Sequence, residues 1–171
     1  NAVFSRFPII KEDVVFFDVP YGEVELGGTD FSYTPRNMQH VAIKIGDNVV
    51  NVFSTQGIWG RDGEDNQRRL EMCKTIAAKT KDTKHVILSG DFNVRVDTES
   101  IRYIEENLIN IFKNRIKTSF NMKQKADPCF ATAVVDMVLV SKDIEIVESS
   151  CPAVDVSDHL PQIVVFDFLD Q

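Results

Sequence analysis

The 171 residues carry 19 Lys and Arg against 26 Asp and Glu, a formal net charge of −7, with 43% hydrophobic and 26% charged residues. That balance excludes a disordered chain, and a pI near 4.9 excludes a protein that grips nucleic acid chiefly through a basic surface. No apolar run approaches the roughly 20 residues of a membrane helix. The start NAVFSRFPII lacks the pattern of a secretory signal. Cys73, Cys129 and Cys151 make neither a metal pair nor a disulfide framework, which suits a reducing, cytoplasmic setting.

In chain order, Ala2 to Phe4, Val14 to Phe17, His40 to Ile45 and Val49 to Phe53 have strand composition. Gly46-Asp47-Asn48 reads as a hairpin turn, so 38–54 is predicted as an antiparallel pair. After a polar stretch, GIWGRDGEDN, Asp65 or Asn66 caps a helix over about 66–79, with Leu70, Cys73, Ile76 and Ala77 on one face. His85 to Leu88 is a short strand ended by Ser89-Gly90. A second helix is predicted over 98–113, capped by Thr98 or Asp97, with Ile101, Ile104, Leu108 and Ile111 or Phe112 in line. Val134 to Val140, Ile144 to Val147 and Ile163 to Phe168 close the chain as strands. Strands interrupted by two helices argue for helices packed on sheets. With no repeat and no linker, residues 1–171 read as a single domain.

Three constellations can carry chemistry. In Ser89-Gly90-Asp91-Phe92-Asn93, a carboxylate and a carboxamide two residues apart leave a strand end on the same side. Asp91 can hold a metal or orient a water, and Asn93 can donate to a phosphate oxygen. The same letters also serve as an Asx-rich turn. In Ser157-Asp158-His159-Leu160-Pro161, adjacent Asp158 and His159 can supply a metal ligand and a proton-transfer group, or simply a turn before a strand. Asp136 stands among Val134, Val135, Met137 and Val138, where a carboxylate needs a partner. A histidine whose tautomer it fixes is the economical one, and an exposed edge-strand position is the alternative. Trp59 can stack on a base or sugar, or pack. Arg68 and Arg69 can meet phosphate or coat a helix. Asp62, Glu64 and Asp65 read as a solvated loop, and His40 and His85 as structural residues.

Taken together, SGDFN (89–93), VDMVLVS (135–141) and VSDHLPQIVVF (156–166) resemble the endonuclease/exonuclease/phosphatase superfamily, the fold of deoxyribonuclease I. NAVFSRFPI (1–9) resembles that family's mid-domain strand. QGIWGRDGEDNQRRLEM resembles a subgroup segment with H-G-x-W and a following helix. The resemblance implies a two-sheet β-sandwich flanked by helices, four layers in the order α/β/β/α. This chain would be its central and C-terminal part, incomplete at the N-terminus, where the family has an early Asn and its principal metal-binding Glu.

The implied activity is divalent-metal-dependent hydrolysis of phosphate esters, by a phosphodiesterase, nuclease or phosphatase. Mg²⁺ is the implied cofactor, or Mn²⁺, and the partner is a nucleic acid or a small phosphate compound. Residue by residue, Asp91 would position or activate water, Asn93 would donate to the scissile phosphate, and Asp158 with Asp91 would serve the metal. His159 would contact phosphate or transfer a proton, oriented by Asp136. Gln56 would fall where relatives have His and, with Trp59, would touch substrate. Gln cannot transfer a proton at pH 7. This departure, with the missing Glu, supports the alternative of a catalytically degenerate or truncated relative acting as a binding domain.

Overall fold

The computed structural model describes residues 1–22 and 31–169. Its strands are β1 (Ile9–Phe16), β2 (Asn37–Ile45), β3 (Asn48–Gln56), β4 (Val86–Asp91), β5 (Ile109–Asn110), β6 (Asp136–Val140), β7 (Ile144–Ser150) and β8 (Ile163–Phe168). Helix α1 (Gln67–Thr80) joins β3 to β4, and α2 (Glu99–Glu105) follows β4. Six strands form one sheet in the order β1-β2-β3-β4-β6-β5, while β7 and β8 pair separately. The contact between β3 and β4 is parallel and the other pairings are antiparallel. A parallel pair needs a long crossover, and α1 provides it.

Strand periodicity separates the faces. Met38, Phe53, Val86, Leu88, Met137 and Leu139 point to one side and pack with Met72, Cys73 and Ile76 of α1 and Ile101 and Ile104 of α2. Their neighbours Val41, Val50, Val138 and Val140 point to the other side and meet Ile146, Val164, Phe166 and Phe168 of the small sheet. The described residues thus stack as helices, large sheet and small sheet, a mixed α/β sandwich. No described helix is long and apolar enough to cross a membrane.

Several boundaries differ from the sequence pattern. Ala2 to Phe4 forms no strand. Lys44 N–H bonds to Pro8 O, and the ladder with β2 begins only at Ile9, after the proline that cannot donate. Asn1 nevertheless ties this segment down by donating to the carbonyls of Asn37 and Ser54. The predicted helix over 98–113 stops at Glu105, and Ile109–Asn110 instead pairs with Val140 and Leu139. The i, i+3, i+4 pattern runs on because Leu108, Ile111 and Phe112 are also buried, so periodicity alone does not mark the break. Asp136 opens β6 rather than lying within it.

Candidate active site

The SGDFN segment leaves β4 at the centre of the large sheet. Gly90 sits at φ 148°, and a Cβ there would overlap Thr55 O, so only glycine lets β4 lie this close to β3. Asn93 adopts a left-handed φ of 54°, as Asn tolerates. Its N–H donates to Asp91 Oδ1 at 2.8 Å, and its Nδ2 donates to Gly57 O at 3.1 Å. The Asp91 carboxyl is thereby fixed from behind, and one amide hydrogen of Asn93 stays available.

Asp91 and Asp136 are register partners across β4 and β6. The Asp136 Oδ2 lies 2.8 Å from His159 Nδ1, which is the carboxylate–imidazole pairing that the apolar surroundings of Asp136 demand. The Asp136 carbonyl accepts from Gln162 Nε2 at 2.8 Å. Ser119 Oγ accepts from the N–H groups of Val135 and Asp136, and Ser119 O accepts from Leu160 N–H. Asn121 donates to Ser157 O and Asp155 Oδ1. The Ser119–Asn121 strip therefore holds the end of one sheet against the loop that carries His159. The side-chain bonds that join the two segments span 16 and 36 positions, so no local sequence signal announces them.

Electrostatics mark the same place. Burial, then the neighbouring Asp136 carboxylate, push the Asp91 carboxyl up to about 6. The hydrogen bond with Asp136 raises the His159 imidazole, against the opposing effect of burial. Ligand atoms of Asp91, Asp136 and His159 lie within 4.8 Å of one another. Two crowded carboxylates, one of them costly to ionise without a counter-charge, fit a hard divalent cation. Mg²⁺ and Mn²⁺ take oxygen donors, and Mg²⁺ needs only one or two protein carboxylates besides water and phosphate.

Asp91, Asn93, His159, Gln56 and Trp59 all line one cavity of about 310 Å³. Asp136 stands behind His159 rather than on that wall. Asp158 lies elsewhere: its carboxylate pairs with Lys125 Nζ at 2.8 Å, and that contact holds its carboxyl below the usual range. Lys125 also lies over the rings of Phe120 and Phe130. Trp59 meets Phe31 edge-on at 6.3 Å.

The sequence pattern missed Arg36, which lines the cavity with its Nε buried and unpartnered. Burial lowers its pKa, and the charge of Asp91 opposes that. Asp62, Glu64 and Asp65 are exposed, as a solvated loop requires, but the loop also closes over an arginine. Arg69 is fully buried and donates to Ile58 O, Glu64 O and Asp62 Oδ1. Asp65 accepts from the N–H groups of Glu99 and Ser100 at the start of α2. Arg68 pairs with Asp18, and its Nη2 donates to Ser32 O at 2.7 Å.

Residues 1–159 match the model of the endonuclease/exonuclease/phosphatase family. No curated protein matches in sequence. Among solved structures, a mannosyl-6-phosphatase of Bacteroides thetaiotaomicron is similar at 19% identity and TM-score 0.71, over 95% of this chain and 67% of that one. TDP2 of D. rerio, solved with a single-strand DNA product, is similar at 12% identity and TM-score 0.71, over 95% and 69%. Sphingomyelinase C of Streptomyces griseocarneus is similar at 19% and TM-score 0.55, over 94% and 62%. The chain thus spans about two thirds of the length of these structures. At such identities the likeness is one of fold. The family match covers most of the chain, and the chain belongs to the endonuclease/exonuclease/phosphatase family.

Proposed function

We propose, starting from that membership, that the chain belongs to a divalent-metal-dependent hydrolase of phosphate esters, with Mg²⁺ as its metal. The observation that carries this reading is the convergence of Asp91, Asn93 and the Asp136–His159 pair on one cavity that also holds Arg36 and Lys125. Asp91 is the residue of this chain placed to hold the cation. A bound cation would neutralise phosphate oxygens and ease deprotonation of the attacking water.

The chain's own groups account for the remaining tasks. The Asp91 carboxylate, fixed by Asn93 N–H, orients the water. Asn93 Nδ2 donates to a phosphoryl oxygen with its free hydrogen. His159, with Nδ1 occupied by Asp136, presents Nε2 to the phosphate and can donate a proton to it. Arg36 and Lys125 offset the charge that develops on phosphorus oxygens. Gln56 and Trp59 contact the substrate beside the reacting centre. Asp158 acts on the site through Lys125.

The test is hydrolysis of bis(p-nitrophenyl) phosphate and p-nitrophenyl phosphate by the protein carrying this chain, with Mg²⁺, with Mn²⁺ and with EDTA. Metal-dependent nitrophenol release that Asp91→Asn abolishes is the expected result. Release that persists in EDTA, or no release from either ester, would overturn the reading.

A further inference from the structure

The chain is acidic, with a net charge of −7, yet the cavity beside the candidate centre carries Arg36, Arg61, Arg95 and Lys125 against Asp62 and Asp91. Two of these cations already have work to do: Arg36 faces Asp91, and Lys125 is held by Asp158. Arg61 does not, and Arg95 is held only by loose ion pairs. Arg61 is exposed and makes no hydrogen bond or ion pair among the described residues. Arg95 is ion-paired with Glu64 and Asp97, but only at 3.8 and 3.7 Å from its Nε, beyond hydrogen-bond range, so a closer anion can displace them.

Arg95 belongs to a wall built in advance, and Arg61 is carried on the loop of that wall. Arg95 N–H bonds to Gly63 O at 2.8 Å, and a Cβ on Gly63 would come within 3.0 Å of Arg95 Cγ. The Arg95 stem therefore lies flat on the loop that carries Arg61. That loop is fastened from below by the buried Arg69, which holds Ile58, Asp62 and Glu64 and leaves no room for a side chain at Gly60. A guanidinium kept in place by packing loses less entropy on binding an anion, and its planar fork suits phosphate.

We infer that the substrate is a compact phosphate ester with a second anionic group, and that Arg61 and Arg95 receive that group while the ester phosphate sits at Asp91, Asn93 and His159. The inference rests on the proposed hydrolase reading for the position of the first phosphate. A cavity of about 310 Å³ is at the small end of ligand sites. It suits a sugar bisphosphate better than a polymer, and a chain of net charge −7 gives a polynucleotide backbone little general attraction.

The protein carrying this chain is titrated by calorimetry with glucose 6-phosphate, glucose 1,6-bisphosphate and a four-nucleotide oligothymidylate, in EDTA so that binding is read without turnover. The bisphosphate is expected to bind at least tenfold tighter than the monophosphate. Arg61→Gln combined with Arg95→Gln is expected to bring the two sugar phosphates within about twofold. Equal affinities in the parent, absence of binding, or a preference that survives both substitutions would overturn the second subsite. Tighter binding of the oligothymidylate would overturn the compact substrate. Because hydrolysis of the nitrophenyl esters needs no second anion, a failure here leaves that assay standing, and a failure there is read separately.

Discussion

The two layers that cover the large sheet are buried to different extents. Against α1 and α2, Val86, Leu88, Ile76, Ile101, Ile104 and Leu139 are all fully buried. Against β7 and β8, the small sheet presents Ile146, Val164 and Phe166 only partly buried, with Val147, Ile163 and Val165 exposed on its outer side. The candidate site draws on both. Asp91 and Asn93 hang from β4, clamped on the helix side, whereas His159 belongs to the loop leading into β8. The Asp136–His159 bond, with the Ser119–Asn121 strip, joins a rigid support to a looser one.

If the site needs both supports, removing a group from either should cost alike. Asp91→Asn and His159→Ala should each lower kcat/KM on bis(p-nitrophenyl) phosphate by about a thousandfold or more, the combined scale of electrostatic and acid–base contributions. Asp91→Asn should unfold no earlier than the parent in EDTA, because the parent holds that carboxylate buried beside Asp136. Unchanged activity in either variant would remove that residue from the site.

Stability should show the asymmetry next. Leu88→Ala, on the fully buried face, should cost about 2–5 kcal/mol by urea unfolding. Ile163→Ala, at 50% exposure, should cost less than about 1 kcal/mol. Equal losses would mean that the small sheet is packed as tightly as its partner.

Asp136→Asn probes the junction. It keeps the shape and loses the charge that raises His159. A fall of about a hundredfold in kcat, with the ascending and descending limbs of the pH profile displaced and little change in thermal midpoint, marks Asp136 as the residue positioning His159. Unfolding instead of slowing would make it a structural acid.

Much of this was readable in the chain. The β2–β3 hairpin, α1 and the last strands follow from local periodicity, and Asp91, Asn93, Asp136 and His159 from residue types that an apolar neighbourhood or a strand end makes conspicuous. The pairing of Asp136 with His159 followed from the cost of an unpartnered carboxylate. What escaped was non-local. Arg69 looks like any helix arginine until the 58–64 loop folds over it, and Asp65, though exposed, also caps the start of α2, 34 residues on. The contact of Asp158 with Lys125 also comes from a distant loop, and no local pattern announces it. The end of α2 was hidden because burial continued after helical geometry stopped.

The smallest expected effect lies where the two faces meet away from the site. Asp143 follows β6, and its carboxylate accepts from Ser141 Oγ and from His85 N–H at 3.0 Å, at the start of β4. Its backbone O accepts from Leu169 N–H at the end of β8. Burial would raise this carboxyl, but the bonds from Ser141 and His85 outweigh it and hold the pKa below its ordinary value. A carboxyl with a depressed folded-state pKa contributes stability above the unfolded pKa of about 3.9, and loses it as pH falls through the lower folded value. Asp143→Asn should therefore cost about 1 kcal/mol at pH 7, and the gap from the parent should begin to narrow as pH falls below about 4. If the gap did not narrow at all on acidification, the stitch would owe its strength to packing rather than to charge, and the junction of the sheets would be held like the helix-side core.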